Sequence, residues 1–358
     1  MDSGLAGQVL AETVLSHSDG AAGILWVRGH TLAELCADFG YEGAVGVLWE
    51  GFAGDGLGRD AVRAQLGAGR SAAFARLGDW LDGAGGRPLI EGIKAALAAL
   101  PESATPAEIL ATFPVAIGAL LRRKAGGAPL APDPARTTAD DLLRMAHGAP
   151  VDPALPAALD TYITSVIDNG LNTSAFTARV VASSRASLAS AALGAYCAFT
   201  GPLHGGAPGP TLDMLDEAEA SGDVQAWALR ELGEGARLMG FGHRVFSRGD
   251  PRSLEIGKAL DRLRADLPRL AARLALAGDV ERAVAVASAK LKPGRPPLQP
   301  NVEIKAALLL DSVGLPRDAF TPVFAVSRAA GWLAHAMESR RNGRLIRPSS
   351  AYVGPVPR

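Results

Sequence analysis

The chain has 358 residues, 48% hydrophobic and 20% charged, a balance that excludes a disordered chain and leaves room for a large core and more than one compact unit. A net charge of −1 gives no electrostatic reason for a nucleic-acid or anionic-membrane partner. No apolar run reaches the roughly eighteen residues that a membrane-spanning helix needs, and Met1-Asp2-Ser3-Gly4 lacks the basic and apolar regions of a secretory leader. Cys36 and Cys197 lie in apolar, helix-like contexts without a C-x-x-C pattern, so buried reduced thiols and a cytoplasmic setting are expected.

Alanine is abundant and aromatics make up only 5%, which predicts an all-α, mainly helical protein. The exception is the start, where residues 9–15 and 23–29 read as short N-terminal β strands around the turn Ser18-Asp19-Gly20. Thr31 then caps a helix running to Phe39, with Glu34 completing a capping box. Helical segments follow at 59–83, 87–100 and 106–124, the last closing at Gly126-Gly127. Residues 126–133 are a loop by their glycines and prolines. A short helix is expected at 138–147, then a pair at 153–168 and 173–199 around Asn169-Gly170, ending at Thr200-Gly201-Pro202. Further helices are expected at about 211–237, 252–287, 302–313 and 322–340, before an irregular tail from Gly343 to Arg358.

One stretch concentrates chemistry: residues 240–252 hold His243, the arginines Arg244, Arg248 and Arg252, and the glycines Gly240, Gly242 and Gly249. Glycine admits a ligand close to the backbone, histidine exchanges protons near neutral pH, and arginine offers a fork of donors to carboxylate or phosphate. Asp250-Pro251 starts a helix, as N-cap and first helical residue. Such a loop reads as an anion site; the alternative is a basic surface turn.

Two other stretches add candidates. His204 lies between glycines just past a helix stop, and Glu303 lies at a helix start capped by Asn301. Each has an ordinary alternative: a solvated loop histidine, and a first-turn acid that complements the helix dipole. Arg328 sits inside an otherwise apolar helix, where a buried guanidinium calls for an anionic partner or ligand. Arg347 lies in the extended Leu345-Ile346-Arg347-Pro348, where it is otherwise a solvated charge.

Taken together, Gly-Pro-Leu-His-Gly-Gly-Ala at 201–207, Phe-Gly-His-Arg-Val-Phe at 241–246 with Asp250-Pro251-Arg252, Pro300-Asn301-Val302 followed by an acid, and Ser327-Arg328-Ala329 with Arg347-Pro348 resemble the citrate synthase family. The resemblance covers nearly the whole chain. It implies a two-domain helical fold, with a large domain from 1–205 and 316–358 and a small helical domain inserted at 206–315. It implies a homodimer whose site lies between the domains. It also implies condensation of acetyl-CoA with oxaloacetate to give citrate and CoA. Glu303 would take a methyl proton while His204 stabilises the enol, and His243 would polarise the ketone. Arg252, Arg328 and a partner subunit's Arg347 would hold the substrate carboxylates. Gly240, Phe241 and Gly242 would lie against CoA, which acts as co-substrate; no metal or tightly bound cofactor is implied.

The chain departs from the family pattern twice. The family usually carries Asp where Glu303 stands. Its His-x-x-His-Glu-x-Asn motif is Val166 to Asn172 here, with Asn169 in place of a histidine that contacts the oxo-acid. Asn169 can donate a hydrogen bond but carries no charge. Two alternatives therefore stand beside citrate formation: a 2-methylcitrate synthase or related acyl-CoA/2-oxo acid enzyme, and a paralogue that binds CoA or a carboxylate without turning it over.

Overall fold

A computed structural model of the chain describes residue 5 and residues 8–205, 208–242 and 250–355. The N-terminal strands are β1 (Ser16–Asp19), β2 (Ile24–Val27) and β3 (His30–Thr31), an antiparallel sheet in the order β1-β2-β3. Leu25 and Val27 of β2 point into the core while Trp26 faces outward, the alternation a half-buried strand requires. Residues 9–15, expected to be a strand, pair with no other strand. The Val14 N–H instead donates to Glu338 Oε1 at 2.9 Å, so a side chain takes the place of a ladder partner.

The helices are α1 (Leu32–Glu34), α2 (Gly40–Trp49), α3 (Arg59–Ala75), α4 (Leu89–Ala98), α5 (Pro106–Lys124), α6 (Thr138–His147), α7 (Ala154–Ser165) and α8 (Thr173–Ser183). They continue as α9 (Leu188–Phe199), α10 (Pro208–Ala220), α11 (Val224–Gly233), α12 (Pro251–Leu263), α13 (Pro268–Leu291), α14 (Val302–Ser312) and α15 (Phe320–Asn342). The Thr31–Glu34 capping box forms, and α1 runs on as a π-helical turn, Leu35–Phe39.

Three expected long helices are each two. The 173–199 segment breaks at Ser184–Ser187, where Arg185 has φ +66° and Ser187 caps α9. The 211–237 segment breaks where the Asp223 carboxylate accepts from Gln225 N–H and Ala226 N–H, both at 3.0 Å. The 252–287 segment breaks before Pro268, which lacks a donor and disfavours helix at the residue before it. In the first two cases a short polar side chain offers the backbone a local alternative to the helical bond. Likewise 59–83 is α-helical only to Ala75 and continues as 3-10 turns at Leu77–Asp79 and Asp82–Ala84, and α7 stops at Ser165 rather than 168. Both cysteines are free thiols, but Cys36 is only half-buried and Cys197 is exposed on α9, contrary to the expected buried pair.

The core is built around α15, buried on every side from Phe320 to Ser339. A helix apolar all round has no solvent face and must be surrounded. Phe113, Tyr196, Phe199 and Trp332 pack against one another beside it, with the Phe199–Trp332 centroids 5.3 Å apart. Gly331 lets the 166–168 segment lie directly on this helix: an added Cβ would stand 2.6 Å from Asp168 Oδ1 and 2.9 Å from the Ile167 carbonyl. Helices α10, α11, α13 and α14 pack chiefly within the group α10 to α14, whereas α12 packs most on α7 and next on α14. No helix among the described residues is long and apolar enough to cross a membrane.

Candidate active site

The segment 299–301 and the stretch 240–242 are laced together. The Gly242 N–H donates to the Gln299 carbonyl and the Asn301 N–H to the Gly240 carbonyl, both at 2.8 Å. Phe241 and Pro300 face each other across this antiparallel bridge, and Phe241 is buried. Gly240 has φ +82°, and a Cβ there would meet Ile304 Cγ1 at 2.6 Å, so both conformation and space exclude a side chain. His243 and the rest of 243–249 lie outside the described residues.

Asn301 Oδ1 accepts from the Glu303 N–H at 2.9 Å, which places Glu303 in the first turn of α14. The helix start alone would favour its ionised form. Burial outweighs this: desolvation, with Arg252 and Arg328 opposing and Asp250 adding, pushes the Glu303 carboxyl up to about 7. Both arginines are buried. Arg252 is gripped by its own helix cap, Nε to Asp250 Oδ1 at 2.9 Å and Nη2 to Oδ2 at 2.5 Å. Burial alone would lower the Arg252 pKa, but Asp250 and Glu303 outweigh it and hold it above its ordinary value.

Arg328 comes from the core helix α15. Its Nε donates to the Val166 carbonyl at 3.0 Å, and its guanidinium lies 5.0 Å from the Phe324 ring centroid. Among the described residues no other hydrogen bond engages this fork. Desolvation lowers its pKa to about 10, which leaves it protonated at neutral pH.

His204 is half-buried beyond the end of α9, edge-on to Phe199 with 5.3 Å between centroids. The Ser174 N–H donates to His204 Nε2 at 3.2 Å, and Ser174 Oγ lies 2.9 Å from the same nitrogen. A nitrogen that accepts from an amide carries no proton, so the neutral ring keeps its hydrogen on Nδ1. Burial, then the charge of Arg328, brings the His204 pKa down to about 4, so the ring stays neutral at ordinary pH. Ser174 is itself held, accepting from Trp332 Nε1 at 3.0 Å and contacting Asn172 Oδ1 at 2.8 Å.

Asn169 lies in the non-helical 166–172 connection, half-buried, with its Oδ1 enclosed and without a hydrogen-bond partner among the described residues. Beside it, Asp168 is fully buried, 2.5 Å from Ser16 Oγ and 3.3 Å from His335 Nε2. Burial would raise the Asp168 carboxyl, but His335, Arg328 and Ser16 hold it below its ordinary value. Thus His204, Glu303, Arg252 and Arg328 are electrostatically coupled, with Arg328 common to all. Arg347 is exposed on the tail. Reasoning from sequence missed Ser174, Trp332, Asp168 and His335. Of these, Asp168 adjoins Asn169, which it had singled out, and Ser174 stands two residues after Asn172 of the same motif; Trp332 and His335 were given no role. No cluster of three or more His, Cys, Asp or Glu side chains among the described residues is placed to hold a metal ion.

The family model described as the citrate synthase C-terminal domain matches residues 4–349. The citrate synthase of Haloferax volcanii is 33% identical over 377 aligned positions, which take in 98% of this chain and 95% of that protein. A Mycobacterium tuberculosis relative is 44% identical over 207 residues, 58% of this chain, and the match spans only 54% of the relative's length. The crystal structure of citrate synthase from Thermotoga maritima superposes with a TM-score of 0.84 at 27% identity, covering 100% of this chain and 97% of that one. The chain belongs to the citrate synthase family.

Proposed function

We propose that the protein condenses acetyl-CoA with oxaloacetate and releases citrate and CoA. The observation that carries the reading is the pair of groups around Arg328: a neutral imidazole with its proton fixed on Nδ1, and a carboxyl poised near neutral pH. Proton abstraction beside a thioester carbonyl needs these two, a base matched to the operating pH and a preorganised donor for the developing enol oxygen.

Glu303 takes a proton from the acetyl methyl group as His204 Nδ1–H donates to the thioester oxygen. The enol carbon attacks the oxaloacetate ketone, forming the carbon–carbon bond, and the ketone oxygen takes a proton from His243. Water then cleaves the citryl thioester and CoA leaves as the thiol. Arg328 offers its guanidinium fork to a substrate carboxylate, and Arg252 is assigned to a second one. Arg347 is assigned to the site of a second subunit, so the working form is a homodimer. Gly240, Phe241 and Gly242 form the floor for CoA. The mutual packing of α10, α11, α13 and α14 supports a small domain at 206–315 against a body of 1–205 and 316–358, with α12 joining the two through α7.

The test is CoA release from acetyl-CoA and propionyl-CoA, each with a panel of 2-oxo acids. Release with acetyl-CoA and oxaloacetate is expected. A marked preference for propionyl-CoA would move the reading to 2-methylcitrate, and no release above the hydrolysis control with any pair would leave a binding paralogue.

A further inference from the structure

Apart from the site around Arg328, a cavity of about 540 Å³ opens where α7 meets the starts of α3 and α6 and the last turn of α12. That volume is within the usual range for small-molecule sites. Three arginines from three elements line it: Arg59, Arg136 and Arg262. Arg136 is answered by Asp133 at 3.1 Å and Asp140 at 2.8 Å. Among the described residues Arg262 reaches only Thr161 Oγ1, at 3.5 Å. Arg59 makes no hydrogen bond or close ion pair among the described residues, and Gly58 before it supplies no side-chain cap for α3.

The acids in the cavity do not cancel this charge. Asp140 is spent on Arg136. Asp160 accepts from the Tyr41 N–H at 3.3 Å, and burial, then the charge of Glu42, pushes it up to about 7, so it is partly neutral at ordinary pH. The floor is open because residue 40 is glycine. With φ +62°, a Cβ there would lie 3.1 Å from Asp160 Oδ2 and 3.2 Å from Arg59 Nη2, between the two groups.

We propose that this cavity binds a small phosphorylated ligand, its phosphate held between Arg59, Arg262 and the uncapped start of α3. Guanidinium forks from separate directions and free first-turn N–H groups suit a tetrahedral oxyanion better than a planar carboxylate. The apolar wall of Val151, Pro156 and Ala157 leaves room for an organic portion.

The location gives the ligand leverage. Arg262 stands in the last turn of the 13-residue α12, and Arg252 stands in its first. A ligand that ties Arg262 to Arg59 restrains the helix whose other end enters the catalytic site. Binding is independent of the condensing reading; only this kinetic consequence rests on it.

The experiment is calorimetric titration of pyrophosphate and, separately, tricarballylate into the purified chain without substrates. Saturable pyrophosphate binding is expected, weakened at least about tenfold in Arg59→Ala and in Arg262→Ala and unchanged in Arg347→Ala. Both mutated arginines are exposed, and circular dichroism confirms that the variants fold. In wild type, pyrophosphate should change the KM for the oxo-acid, and in Arg59→Ala it should not. Absence of saturable binding, or undiminished binding in the double variant, overturns the site. Tricarballylate binding through these arginines without pyrophosphate binding overturns the phosphate assignment. A chain inactive towards every acyl-CoA would remove the kinetic arm and leave the calorimetric one intact.

Discussion

Asn301 donates from Nδ2 to the carbonyl of Gly242 at 3.0 Å while its Oδ1 caps the helix that carries Glu303. One amide thus fixes the candidate base and the loop leading to His243 relative to each other. Asn301→Ala should lose the cap, about 0.5–2 kcal/mol of stability, together with the tether. Asn301→Ser keeps an acceptor for the cap, but its single short hydroxyl cannot also span to the Gly242 carbonyl as the amide Nδ2 does. It should unfold near the wild-type temperature yet show a reduced kcat/KM for condensation. A Ser variant with wild-type kinetics would make the Gly242 contact merely structural.

The acid side of the pH profile should belong to Glu303. Its pKa of about 7 means that the base form is lost as pH falls through neutrality. His204, lowered to about 4, stays neutral throughout and adds no limb there. The logarithm of kcat/KM should therefore rise with unit slope below about pH 7 and then level. A profile flat down to pH 5 would remove Glu303 as the base.

Glu303→Gln separates catalysis from folding. Turnover should fall by at least on the order of a hundredfold, with oxo-acid binding little changed. Stability should move the other way. A carboxyl whose folded pKa is raised stabilises the native state below its unfolded pKa, and that contribution is lost as pH rises through about 7. The Gln variant should accordingly melt higher than wild type at pH 8 and not at pH 4. Glu303→Asp should also be slow, because the carboxylate retreats by about a bond length in a site built around the longer acid.

Ser174→Ala removes the hydroxyl beside His204 Nε2 and leaves the backbone N–H. The proton stays on Nδ1, but the ring loses the hydroxyl packed against it. A fall in kcat of ten- to about a hundredfold with little change in KM is expected, the signature of a misplaced donor. A rise in KM alone would assign Ser174 to substrate binding.

A site shared between subunits can be tested by mixing an Arg347→Ala chain with a His243→Ala chain. Each heterodimer contains one intact site, so random pairing should restore about a quarter of the sites. Verified heterodimers without activity would argue against a shared site.

Local chemistry was legible in the residues. The Thr31–Glu34 capping box, the Asp250-Pro251 start, the Asn301 cap and the helix at 138–147 all depend on neighbours a few positions apart. The breaks at 184–187 and 221–223 were not, because alanine-rich helical propensity runs unbroken across a few polar residues whose caps decide the matter. Long-range pairings left no mark either. Trp332 reaches Ser174 across 158 positions, and nothing at either end announces the other. The two-residue grip of Asp250 on Arg252 was within reach, but the acid was read as a helix cap alone.

Arg328 is rooted in a helix with no free side, whereas Asn169 lies in a non-helical connection and Arg252 stands on α12, which has exposed residues. Substitutions around Arg328 therefore disturb the whole core, and evolution has little freedom there. Substitutions at the half-buried Asn169 and Gly170 disturb far less of the core. The uncharged Asn169 can therefore be exchanged for a larger or charged side chain at a smaller structural cost than any change at Arg328.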